Sequence, residues 1–124
     1  MILIALTLAA AAVPQSLLDA ADAAGLAHTQ CLFATMRSAN RTHLSVDTFE
    51  LRLRSSCSAE AERLRTASAR IFSARGDSEP IAKAAALIEE SYRSAVEEYR
   101  RLPEIEQQLR GIAELCKADP KSCN

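Results

Sequence analysis

Four cysteines, Cys31, Cys57, Cys116 and Cys123, constrain this chain more than any other feature. A cysteine that forms a disulfide needs its partner's Cα within about 4.4–6.8 Å, so each pair rules out most arrangements of the segments it joins. The number is even, the chain is small, and there is neither a Cys-x-x-Cys nor a Cys/His cluster at zinc spacing. That combination points to a disulfide framework in an oxidising compartment.

The N-terminus offers a route to such a compartment. Residues 1–13 form an uncharged apolar run of signal-peptide length, closed by Pro14, Gln15 and Ser16, with Ala10 and Ala12 in an A-x-A cleavage pattern. No Lys or Arg precedes the run, so only the terminal amine supplies positive charge there. We expect residues 1–13 to be a signal peptide cleaved near Ala12, and residues 14–124 to form a single helical domain. An uncleaved inner-membrane anchor, reaching through Leu17 and Leu18 towards the ~20 residues of a spanning helix, is one alternative. A buried first helix of a cytosolic protein is another. After cleavage about 110 residues remain, enough for one core but near the size at which cross-links help. The 15 basic and 16 acidic residues give a formal charge of −1 and a pI near 6.1. No broad field attracts a polyanion, which argues against nucleic-acid binding.

Helical periodicity runs throughout and no stretch alternates as a strand does. The expected fold is all-α, an antiparallel bundle of three long helices, the third kinked at Pro103, stapled by disulfides. The first helix is expected over about 16–40, with Ser16 as N-cap and Leu18, Gly25, Leu32 and Ala39 facing inward beside Ala21, His28, Cys31 and Met36. After a connection at 41–44, Ser45 is a fresh N-cap for a second helix to about 74. Its stripe is Val46, Phe49, Leu53, Cys57, Leu64, Ala67, Ile71 and Ala74, with Glu60 falling on the same line and read as a snorkelling side chain.

Gly76 suits a helix C′ position, Ser78 a cap and Pro80 a first turn. The third helix then carries a heptad pattern, with Ile81, Ile88, Ala95 and Leu102 at one position and Ala85, Tyr92 and Tyr99 at the other. Glu89 to Arg93, Glu97 to Arg101 and Glu106 to Arg110 are spaced for i,i+4 ion pairs. Pro103 removes a helical hydrogen bond, yet Ile105, Leu109, Ile112 and Cys116 carry the stripe onward. A kinked continuation to about residue 117 is expected, ended by Ala118-Asp119-Pro120.

In an antiparallel hairpin, residues at one height average to the centre of the turn. Cys31 and Cys57 average to 44 and the turn centres near 43, a stagger of about 3 Å that a disulfide absorbs. Cys116 and Cys123 lie seven apart around Asp119-Pro120, which suits a terminal loop. Spacing alone leaves other pairings open.

The search for chemistry is negative: no catalytic, cofactor-binding or metal-binding residue is assigned. His28 and His43 fall on different elements, without His-x-x-x-His or Glu-x-x-His spacing; His28 is read as an interior histidine and His43 as a solvated turn residue. There is no Gly-x-Ser-x-Gly elbow. Glu89, Glu90, Glu97 and Glu98 read as a solvated face, and Tyr92 and Tyr99 as core. Asn40-Arg41-Thr42 matches a glycosylation sequon, meaningful only in a eukaryotic secretory pathway. Gly25 and Gly111, inside helices, are read as points of close helix approach.

The segment 30–40, Gln-Cys-Leu-Phe-Ala-Thr-Met-Arg-Ser-Ala-Asn, followed by Cys57 ahead of Ala59-Glu60-Ala61-Glu62, resembles a group of short exported helical proteins of sphingomonad-type alphaproteobacteria that carry no assigned function. The resemblance covers about residues 31–76. It implies a periplasmic setting and a Cys31–Cys57 pair, and brings no catalytic residue; Cys116 and Cys123 lie outside it. By elimination the expected function is that of a non-catalytic, periplasmic or secreted interaction or envelope-stress protein with a protein partner, no cofactor, and no stable membrane insertion after cleavage. The alternative is a small-ligand or metal carrier, or an enzyme, with a pocket between helices near His28 and Tyr92.

Overall fold

A computed structural model describes residues 12–123. Most of the expected signal peptide therefore lies outside the described residues. Within them the chain is all-helical: α1 (Gln15–Arg41), α2 (Val46–Ser56), α3 (Ser58–Ala74), α4 (Pro80–Ala118) and a short 3-10 turn (Pro120–Cys123). Both expected bridges are formed, Cys31–Cys57 with Cα atoms 5.8 Å apart and Cys116–Cys123 with Cα atoms 5.7 Å apart.

The helix ends follow local chemistry, with three departures from expectation. Helix α1 starts one residue early, because Pro14 holds extended backbone and its carbonyl accepts from the Leu17 amide at 3.0 Å; Ser16 is not the cap. Ser45 does cap α2, its hydroxyl accepting from the Thr48 amide. The helix expected over 45–74 is two helices, interrupted at Cys57 (φ −105°, ψ 15°). Hydrogen bonds bracket the break, from the Cys57 amide to the Leu53 carbonyl and from the Ala61 amide to the Cys57 carbonyl. A one-residue turn falls on the fully buried cysteine that is tied to α1, so the cross-link and the break coincide. Beyond it the buried positions are Ala61 and Ser68, not the expected Ala67 and Ile71, which are half-buried. The third departure is at α4, whose N-cap is Glu79 in the left-handed region (φ 54°), not Ser78, with Pro80 at N1 as expected. The right-handed helical region is disfavoured for the residue before a proline.

Helices α1 and α3 end in the same way. Gly76 (φ 78°) donates to the Ser73 carbonyl while Asp77 donates to Phe72; His43 (φ 52°) donates to Asn40 while Leu44 donates to Ala39. Both are Schellman closures, and only one has glycine at its left-handed residue.

Tyr99 stacks on Phe49 with ring centroids 4.1 Å apart, and Arg54 meets Glu89, so α4 returns alongside α3 and then α2. His28 meets Ser91 and Asn40 meets Glu106, which places α1 along the same helix. Ala39, Phe49, Leu53, Cys57 and Ile88 are fully buried at the centre. The Tyr99 hydroxyl donates to the Leu44 carbonyl at 2.5 Å and lies 3.3 Å from the Ala39 carbonyl, tying the α1–α2 turn to α4. A Cβ at Gly25 would meet Leu64 only at an ordinary contact distance of 3.8 Å, so the close helix approach expected there does not account for this glycine. Nothing lies within 4 Å of a Cβ at Gly111, so no neighbouring helix explains that glycine.

The charged outer faces pair differently from the i,i+4 spacing. Glu89 is taken by Arg54 across the bundle, Arg93 pairs with Glu90 and Arg100 with Glu97. Ile81, expected inward, is 73% exposed and Ala84 is buried in its place. Helix α4 continues through Pro103 to Ala118. Past that proline a fifteen-residue arm, 104–118, extends beyond the core, with Ile105 37%, Leu109 60%, Ile112 55% and Leu115 67% exposed.

Closing a 26-residue separation stabilises by about 3–3.5 kcal/mol in the chain-entropy account. Replacing Cys31 and Cys57 by Ala will lower the stability of the bundle by about 3 kcal/mol in urea unfolding. Replacing Cys116 and Cys123 will leave the bundle's transition in place, because that bridge closes only the tip of the arm. His43→Gly will stabilise by about 0.5–1 kcal/mol, since glycine enters the left-handed region without a Cβ penalty; the same urea midpoints measure it.

Candidate functional site

Two features stand out from the ordinary core: a polar seam where α1, α3 and α4 meet, and the bare arm of α4. The seam is built on Ser91, one turn after Ile88. Its hydroxyl donates to the Ile88 carbonyl at 2.6 Å and lies 2.9 Å from His28 Nε2. His28 is 2% exposed and stands edge-on to the Tyr92 ring, centroids 5.6 Å apart. Its Nδ1 is buried without a partner. Glu60 Oε2, on α3, is the second buried polar atom without a partner.

Burial holds the His28 pKa below its ordinary 6.5, and the nearby Glu60 charge offsets only part of that effect. Burial likewise raises the Tyr92 phenol above its usual 10. Arg54 closes the seam from α2: it donates through both Nη atoms to Glu89 at 2.9 Å, and its guanidinium stands 4.8 Å from the Tyr92 ring centroid. Those bonds lower the Glu89 pKa and raise that of Arg54. The pair is half exposed and is worth about 1 kcal/mol or less.

The Ser91 hydroxyl is within hydrogen-bonding distance of both the Ile88 carbonyl and His28 Nε2. The sequence brought His28 and Tyr92 into view and the structure brings them together. A groove of about 210 Å³ between α1 and α4, lined by Leu32, Phe33, Met36, Ala95 and Ser91, has the serine beside His28 in its wall but neither His28 nor Tyr92. His43 is an exposed turn residue, as read. Asn40 of the sequon donates to Glu106. Ser91 and Arg54 were not marked by any motif, whereas Glu60, read from the sequence as snorkelling at the edge of its stripe, instead keeps Oε2 buried without a partner.

A further groove, about 480 Å³, lies between α1 and α3, floored by Ala20, Ala23, Ala24 and Ala27 and edged by Arg63 and Arg70. Among the described residues no group of three His, Cys, Asp or Glu side chains is placed to hold a metal ion. Nor is any described helix long and apolar enough to cross a membrane. The four cysteines are all bridged, a state that fits an exported protein. Comparison with protein-family models, with curated proteins and with solved structures finds no match to the chain.

Because the folded state disfavours charged His28, the unfolded chain binds more protons between the lowered folded pKa and 6.5. Stability is therefore full above pH 6.5 and falls as the pH drops through that window, by at most about 1.4 kcal/mol per pH unit. Urea unfolding at pH 7.5 and at pH 5.5 will show this loss, and His28→Gln will reduce it.

Proposed function

We propose that this protein is a non-catalytic, exported helical interaction protein of the periplasm or envelope, which presents the arm of α4 to a protein partner. The observation that carries this reading is the bare stripe of Ile105, Leu109, Ile112 and Leu115, which no described element covers. A contiguous apolar patch on a helix that leaves its own bundle marks an interaction surface. In this reading α1, the α2–α3 pair and α4 work as three antiparallel rods with α4 bent at Pro103. The leader, residues 1–13, delivers the chain to the envelope and is cleaved near Ala12. Support for export comes from two formed disulfides.

A photo-reactive side chain introduced at Leu109 tests the reading in intact cells. Discrete protein adducts are expected from position 109 and none from Arg63, which lies on α3 away from the arm. Failure to capture any protein from positions 105, 109 and 112 would remove the arm as the working surface.

A further inference from the structure

Resting on that reading of the arm, we infer that the occupant of its stripe is a second copy of this chain, paired antiparallel through residues 105–116. The first ground is the spacing of the stripe. Within the bundle the inward positions of α4, Ile88, Tyr92, Ala95, Tyr99 and Leu102, alternate steps of four and three residues. An unbroken alternation would next bring Glu106 inward, and Glu106 does reach back to the bundle, accepting from Asn40 of α1 at 3.2 Å. The apolar residue is instead Ile105, one position earlier, which turns the stripe by about 100° around the helix. From there Ile105, Leu109, Ile112 and Cys116 again step by four, three and four. The arm thus carries its own heptad seam, directed away from the elements that cover the first part of α4.

The second ground is self-complementarity. A two-fold axis between Leu109 and Ile112 sets Leu109 of one copy against Ile112 of the other, and Ile105 against Cys116. Glu106 and Lys117 each follow a residue of one such facing pair, so they lie on the same edge of the seam, about 3 Å apart in height. Opposite charges therefore meet twice, once on each side of the axis. Antiparallel pairing also keeps the two bundles at opposite ends of the paired arms, clear of each other.

The size of the patch sets the strength. Four aliphatic side chains at the exposures given above leave on the order of 400 Å² of apolar surface per copy, typical of an interaction patch on a monomer. That is about half of what each partner contributes to a standard interface, so the dimer is concentration-dependent, with a Kd on the order of micromolar. A lipid surface fits less well. The arm mixes Glu104, Glu106 and Glu114 with Arg110 and Lys117 and lacks the basic cluster that draws a helix to anionic membranes.

Sedimentation of the disulfide-intact chain from about 1 to 200 µM, a range that brackets such a Kd, tests the inference. A reversible monomer–dimer transition is expected. Leu109→Glu, in an arm outside the core, will keep its helicity by circular dichroism and remain monomeric throughout. Lys117→Glu will weaken association about fivefold, and Glu106→Lys added to it will restore the wild-type value. A wild-type chain that stays monomeric at the highest concentration, or a dimer indifferent to Leu109→Glu, overturns the inference. So does capture of the arm by anionic vesicles without dimerisation. A monomer that still yields adducts to a different envelope protein at Leu109 removes the self-pairing and leaves the proposed function standing; a monomer with no adducts removes both.

Discussion

The Cys31–Cys57 bridge is the constraint on which the remaining geometry hangs. It joins the middle of α1 to the one-residue break between α2 and α3, and it does so at a residue with no solvent exposure. Fixing that height sets which residues of the two strands of the hairpin meet. Thr35 comes to lie 3.6 Å from the Cys57 sulfur, Gly25 comes against Leu64, and the Schellman closure at His43 can hand the chain to the Ser45 cap without a longer loop. The small core supplies limited hydrophobic stabilisation for a chain of this length, so a cross-link of about 3 kcal/mol is a large share of a typical ~5–15 kcal/mol.

Helix α4 completes the structure by reading that hairpin along its length. Tyr99 stacks on Phe49 and donates to the turn carbonyls, Ile88 and Ala95 fill the centre, and Ser91 meets His28. The buried tyrosine hydroxyl has a partner, as burial demands, whereas His28 Nδ1 and Glu60 Oε2 have none. These two atoms mark the least satisfied point of the interior, and the lowered proton affinity of His28 follows from the same burial. Beyond Pro103 the relation between sequence and packing changes. Two consecutive steps of three residues rotate the apolar stripe away from α1, and Glu106, now in the inward phase, makes the last polar contact with the bundle.

Much of this was readable in the chain. Apolar spacing gave the all-helical class, Ser45, Gly76 and Pro80 gave three helix boundaries, and the heights of Cys31 and Cys57 about a turn near residue 43 were compatible with the bridge that forms. These are local or nearly local signals, set by capping chemistry and by the 3.6-residue repeat. The break at Cys57 was not readable, because nothing in Arg54-Ser55-Ser56-Cys57-Ser58 disfavours helix strongly; it accompanies a cross-link to a distant segment. The ion pairs were misassigned for a related reason. Spacing shows Glu89 and Arg93 as neighbours on one helix but does not show that Arg54 of another helix stands closer.

The sequence by itself therefore determined the all-helical class, most of the helix boundaries and the polar outer faces, since each depends on residues few in number and regular in spacing. Tertiary structure alone decided the meeting of His28, Ser91, Tyr92 and Arg54, the exposure of Ile81, and above all that the stripe from Ile105 to Leu115 lies bare. Periodicity states that a helix has an apolar face. Whether another element reaches far enough to cover that face depends on where α1 ends and the chain turns, and here it turns at residue 42, short of the arm.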